Sequence, residues 1–124
     1  MKTINTDGAP KAIGPYCQAI THEGVVYCSG QIPLDPKTMK VVAVGIEAQT
    51  EQVLKNLLAV LKAADSDLSK VVKTTVFMQS LEEFPKMNAC FERAFGSHKP
   101  ARSTVQVARL PLDVLVEIEC IAIT

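Results

Sequence analysis

The sequence predicts an α+β fold: a single mixed β-sheet of about six strands with two helices on one face. Three observations lead there. Short β-branched runs recur along the chain, two segments switch to helical period, and 124 residues suffice for one domain to bury a core without disulfides or metals. The expected order is β-β-(β)-α-β-α-β-β, in one domain spanning residues 1–124.

Thirteen basic and thirteen acidic residues cancel, and no run of like charge marks a tail or stripe, so the electrostatics do not suggest a nucleic acid partner. The opening MKTINTDGAPKAIGPY lacks both the apolar core of a signal peptide and the Arg-rich pattern of a transit peptide. No later segment is long enough to span a bilayer. The chain therefore reads as soluble and intracellular. Cys17, Cys28, Cys90 and Cys120 form no C-x-x-C pair and have no His at zinc-site spacing, so no metal site is expected. They read as small buried thiols in a reducing compartment. His22 and His98, far apart in sequence, read as structural residues.

Residues 7–15, with two Gly and two Pro, read as an irregular lead-in. Apolar runs at 16–21 and 25–29 flank Glu23-Gly24, where Gly supplies the positive φ of a tight hairpin turn. Gly30 then interrupts strand-like sequence and suggests a bulge or a close backbone approach. A short run at 40–44 reads as a possible third strand. Over 46–64 Thr50, Val53, Leu54, Leu57, Leu61 and Ala64 recur at helical intervals, while Glu47, Gln49, Glu51, Gln52, Lys55, Asn56 and Lys62 form a solvated side. The strand VVKTTVFM at 71–78 is apolar or β-branched on both faces, as covered strands are. Ser80 and Glu83 have capping-box spacing ahead of a helix ending near Phe95, with Pro85 at its start and Gly96 closing it. Asn88 is the one amide on that helix's Phe and Met face.

Two strands are expected near 102–108 and 114–123, joined by RLPLD. Period two places Arg102, Thr104 and Gln106 on one face of the first, and Glu117 and Glu119 together on one face of the second. If these consecutive strands are neighbours, as about two-thirds of such strands are, the arginine and the carboxylates meet on one sheet surface. Arg102 then either pairs with a glutamate or receives an external carboxylate through two parallel charge-assisted hydrogen bonds. In the second case Glu117 can hold or deprotonate a water. Since strands apolar on both faces accompany helices on one face only, another subunit is expected to cover the open face.

SGQIP at 29–33, Asn88 on the second helix, and KPARSTVQVARLPLDVLVEIE at 99–119 resemble the Rid family of reactive-intermediate deaminases, also called YjgF/YER057c/UK114 or L-PSP proteins. The resemblance covers nearly the whole chain. It implies a chorismate-mutase-like fold assembled as a homotrimer, with helices outside a central barrel and three intersubunit clefts. The implied partners are small 2-imino and 2-keto acids. The implied reaction is hydrolysis of 2-iminopropanoate, the tautomer of 2-aminoacrylate, or of 2-iminobutanoate, to the 2-keto acid and ammonia, with no cofactor. Residue by residue, it assigns the carboxylate clamp to Arg102 and the water-positioning group to Glu117. Tyr16, Ser29, Gly30, Asn88 and Thr104 match further substrate-binding positions. Thr104 stands where the family often has Cys, so a backbone contact survives there and a thiol role does not. The family also contains proteins described as endoribonucleases that inhibit translation, and a carboxylate-binding module without turnover would need the same arginine. A cytoplasmic setting is expected, with a mitochondrial one left open.

Overall fold

The computed structural model describes residues 1–42 and 44–124. Its elements are β1 (Lys2–Ile4), β2 (Ala19–His22), β3 (Val25–Gln31), α1 (Ile46–Ala63), β4 (Val71–Met78), α2 (Phe84–Phe95), β5 (Ala101–Gln106) and β6 (Val116–Ile123). The six strands form one sheet in the order β1-β2-β3-β6-β4-β5. Only the β4–β5 pair is parallel, with α2 as its crossover; the other pairs are antiparallel. The expected mixed sheet with two helices is therefore present.

β6 explains this order. Val116, Ile118, Cys120 and Ala122 are buried on one face, so the strand is stable only where it is covered, and it lies between β3 and β4. β5, reading ARSTVQ, has no such apolar face and takes the edge. Consecutive in sequence, β5 and β6 are thus separated by β4, contrary to the expected pairing.

Both helices cover the face carrying Val26, Val76, Met78, Val116, Ile118 and Ala122, against which α1 buries Ile46, Val53, Leu54, Leu57 and Leu61. The opposite sheet face leaves Tyr27, Val105 and Ile123 exposed. Directly opposed in register, Cys28 and Cys120 lie on β3 and β6; the hydrogen bond to Cys28, then burial, push the Cys120 thiol up. Cys17 is half-buried and the other three cysteines are buried. Among the described residues, no helix is long and apolar enough to cross a membrane.

Several expectations need correction. The sixth strand is β1 at the N-terminus, not 40–44: Val41 forms only an isolated bridge with Leu34, and Ala43 lies outside the described residues. A bulge between Val71 and Lys73 turns Val71 into the core and leaves Val72 47% exposed, so the two exchange the faces that strict alternation gives them. Ser80 caps a short 3₁₀ turn by accepting from Glu82 N, and Glu83 returns no capping bond to it. Gln49 and Asn56, assigned to the solvated side of the first helix, are buried. Gln49 Oε1 accepts from Leu115 N at 2.8 Å. Asn56 Nδ2 donates to Ile32 O at 3.2 Å and Leu34 O at 3.0 Å. These amides satisfy loop backbone that lacks a strand partner, a need that helical periodicity does not reveal.

Removing the Asn56 amide leaves Leu34 O without its donor and takes one of two donors from Ile32 O, which keeps Leu34 N at 2.8 Å. Asn56→Ala is expected to lower the unfolding free energy by about 2 to 3 kcal/mol, seen as a lower urea midpoint at unchanged slope. Lys55→Ala, one residue away on the exposed side, is expected to change it by less than about 0.5 kcal/mol.

Candidate active site

Arg102 pairs in register with Thr74 of β4, which pairs with Cys120 of β6, so its side chain leaves the sheet on the helix-covered side. There its guanidinium carbon lies 4.7 Å from the centroid of the Phe91 ring and 5.5 Å from that of Phe84. Nη1 donates to Asn88 Oδ1 at 2.8 Å. Two aromatic rings one heptad apart on α2 and the amide between them hold the cation by cation–π attraction and one hydrogen bond. None of these groups is an anion. Among the described residues no ion pair involves Arg102, whereas Arg93 pairs with Glu51 at 3.5 Å and Arg109 grips Asp113 through bonds of 2.7 and 3.1 Å. The alternative of an Arg102–glutamate pair is thereby overturned within the chain. A guanidinium has five N–H donors, and Arg102 lines a cleft of about 440 Å³ with Asn88, Phe91, Glu92, Phe95, His98 and Lys99, in which Glu92 makes no ion pair with it. Such a group, fixed and without an ion-pair partner among the described residues, can receive an anion.

Thr104, two residues along β5, projects to the same side, opposite Val76. Its Oγ1 is buried with no partner among the described residues.

Glu117 belongs to the other sheet face. It pairs in register with Phe77, and its side chain packs over the bulge that β3 makes between Cys28 and Gln31. Gly30 sits in that bulge. A Cβ there would lie 2.5 Å from Glu117 Oε2 and 3.0 Å from Cδ, so only glycine lets the carboxylate rest against this backbone. Burial, and secondarily the neighbouring Glu119, push the Glu117 carboxyl above the ordinary range. A carboxyl so tuned can exchange a proton nearer neutrality.

Ser29 fixes the adjoining segment: its Oγ donates to Cys17 O at 2.6 Å and its backbone N donates to Gln18 O at 2.9 Å. Gln18 in turn ties down the lead-in, with Nε2 donating to Thr6 O at 3.0 Å and Pro10 O at 2.8 Å and Oε1 accepting from Thr6 N at 2.7 Å. Tyr16 thereby projects from an anchored segment, 55% exposed, beside a separate depression lined by Asn5, Asp7 and Lys11. The sequence gives little sign of Gln18, a polar residue in an apolar run. Phe84 and Phe91 are visible there only as core.

Apart from Tyr16, which stands beside its own depression, the expected site residues fall into two groups. Arg102, Asn88 and Thr104 come together near the edge strand on the helix side; Ser29, Gly30 and Glu117 come together across β3 and β6. The sheet separates them, so Arg102 does not meet Glu117 on one surface of one chain. No group of three or more His, Cys, Asp or Glu side chains converges among the described residues. A cavity of about 650 Å³ lies across α1 and α2, where its arginine, Arg93, is already paired with Glu51.

A family model described as Endoribonuclease L-PSP matches residues 6–124. The chain belongs to this family. It is 50% identical over 125 residues to the 2-iminobutanoate/2-iminopropanoate deaminase of Salmonella typhimurium, covering 98% of this chain and 97% of that relative. The crystal structure of the YjgF gene product of E. coli matches with a TM-score of 0.95 at 48% identity, covering 99% of this chain and 98% of that one. E. coli TdcF with bound serine also matches with a TM-score of 0.95, at 41% identity over 100% and 99% of the two chains. The architecture is the YjgF/L-PSP fold, as the sequence resemblance implies.

Two predictions follow from the Glu117 environment. Gly30→Ala is expected to displace the carboxylate and lower stability by about 1 to 3 kcal/mol, measured by denaturant unfolding. The second concerns pH. Folding raises the Glu117 carboxyl above its ordinary 4.5, so the unfolded chain releases this proton first and the group opposes folding increasingly as pH rises from there through the raised value. Glu117→Gln is therefore expected to melt higher than wild type at pH 7, with the difference shrinking toward pH 4.

Proposed function

We propose that this protein hydrolyses reactive 2-imino acids and their enamine tautomers, of the size of 2-iminopropanoate and 2-iminobutanoate, to 2-keto acids and ammonia, limiting their damage to pyridoxal-phosphate enzymes. The observation that carries the reading is Arg102, held on Phe84, Phe91 and Asn88 with no carboxylate partner among the described residues. The deaminase name of a relative at 50% identity supports it.

In this mechanism the Arg102 fork grips the substrate carboxylate and fixes the direction of C2. Glu117 positions a water against C2 and takes a proton from it as the C–O bond forms. The resulting tetrahedral adduct needs a proton on nitrogen, which the same raised carboxyl can return; as the C–N bond breaks and ammonia departs, the adduct's hydroxyl gives its proton back to the Glu117 carboxylate and becomes the keto oxygen. The imine carbon is already electrophilic, so positioning and proton transfer suffice without a cofactor.

The two half-sites must converge for this chemistry. We infer a homotrimer in which the open sheet faces bury one another and each cleft joins the Arg102 group of one subunit to the Glu117 group of the next. The exposed Tyr27, Val105 and Ile123 supply apolar surface for that contact. RNA cleavage, which the family description names, is not favoured by a chain of zero net charge without a basic track.

The test couples the protein to a dehydratase that releases 2-aminoacrylate or 2-iminobutanoate and follows the imine by semicarbazide trapping. Wild type is expected to accelerate its loss, and Arg102→Ala and Glu117→Ala to reduce kcat/KM by about 10²-fold or more. Equal activity of Arg102→Ala refutes the assignment, and RNA cleavage that persists in that variant after stringent purification supports the rival. Sedimentation equilibrium is expected to give three times the chain mass; a monomer with full activity refutes the shared cleft.

A further inference from the structure

The connection from α2 to β5, residues 96–100, is tied to the sheet through His98. Its Nε2 lies 2.7 Å from Val71 O. A carbonyl oxygen only accepts, so Nε2 carries the hydrogen and donates. The β4–β5 ladder begins at Lys73 and Ala101, two residues after Val71, which is buried. His98 therefore supplies a donor at a point that β5 does not reach. Its backbone N also donates to Phe95 O at 3.2 Å, and its ring centroid lies 6.3 Å from that of Phe95. Phe95 stacks on Phe91 with centroids 4.4 Å apart, and the Phe91 ring in turn lies 4.7 Å from the Arg102 guanidinium carbon. His98, Phe95, Phe91 and Arg102 all line the cleft of about 440 Å³. A continuous series of contacts thus runs from a hydrogen bond at the start of β4 to the cation.

Resting on the reading of Arg102 as the carboxylate clamp, we propose that His98 is a positioning residue, whose bond to Val71 O holds the aromatic seat of the guanidinium in place and thereby sets the affinity of the cleft for carboxylates. Cation–π attraction depends on where the ring lies, and a two-bond grip on a carboxylate demands a fixed guanidinium plane. Asn88 gives the guanidinium one hydrogen bond, so the rings must define the rest of its orientation. Among the described residues no hydrogen bond joins His98 to Arg102. His98 acts instead through Phe95 and Phe91, and through the chain it anchors four residues before the arginine.

Heteronuclear NMR of the ligand-free protein reads the Arg102 Nε–H signal, and calorimetric titration with 2-oxobutanoate reads the clamp. In His98→Ala the Arg102 signal is expected to shift and broaden, and 2-oxobutanoate to bind about three- to tenfold more weakly, the scale of one cation–π contact. His98→Gln, which carries an amide N–H donor at a similar reach from the backbone, is expected to restore both. If His98→Ala does not fold, His98→Phe takes its place, keeping a ring against Phe95 without the donor. A lower urea midpoint with the Arg102 signal and the affinity unchanged overturns the proposal and leaves His98 a purely structural residue. Weaker binding with an unmoved Arg102 signal also overturns it, because His98 then touches the ligand itself. Failure of His98→Gln to restore the signal and the affinity overturns it as well. Should Arg102→Ala bind 2-oxobutanoate as tightly as wild type, the clamp itself is refuted, and the role of His98 in binding with it.

Discussion

The position of β6 between β3 and β4 governs the rest of this structure. A strand buried along Val116, Ile118, Cys120 and Ala122 requires neighbours on both sides, and by taking that place it sends β5 to the edge beyond β4. Arg102 then faces the helices while Glu117 faces away from them. Topology has thus divided one chain's chemical groups between the two surfaces of a sheet, and any chemistry that uses both must draw them from different copies. On the proposed function, the oligomer and the reaction are aspects of one arrangement.

Each half is maintained by a different physical device. The cation is kept in place without being neutralised: aromatic faces and a neutral amide orient the guanidinium while leaving its charge for a ligand. The carboxylate is treated in the opposite way. Burial and, secondarily, the proximity of Glu119 make its ionised form less favourable. Brought together, a cation seeking an anion and a carboxyl reluctant to ionise suit a substrate that carries its own carboxylate and needs protons moved at the adjacent carbon.

The sequence made legible whatever depends on local periodicity. The two helices, the hairpin at Glu23-Gly24, the strand at 71–78 and the bulge at Gly30 all follow from spacing and turn residues and appear in the structure. Spacing offered Arg102 and Glu117 as an ion pair or a ligand site, and family resemblance, rather than spacing, chose between the two. Information that lives between distant segments was not legible. Pairing of β5 with β4 rather than β6 depends on a parallel crossover through α2; the burial of Gln49 and Asn56 depends on loops that need donors; the bulge beside Val72 shifts a strand face that strict alternation misassigns. The separation of Arg102 from Glu117 belongs to this class, since both are read correctly on their own strands and only the sheet order sets them apart.

The close approach of Gly30 to Glu117 carries a consequence for how this sequence can vary. Because the space a side chain would need at position 30 is occupied by the carboxylate itself, the two positions are not independent variables: a larger residue at position 30 moves the carboxylate at position 117. A side chain at position 30 thus displaces the glutamate's carboxylate for as long as the glutamate is retained, and loss of the glutamate would remove that conflict. In related sequences, paired change at these two places would mark chains that keep the fold after giving up the carboxylate.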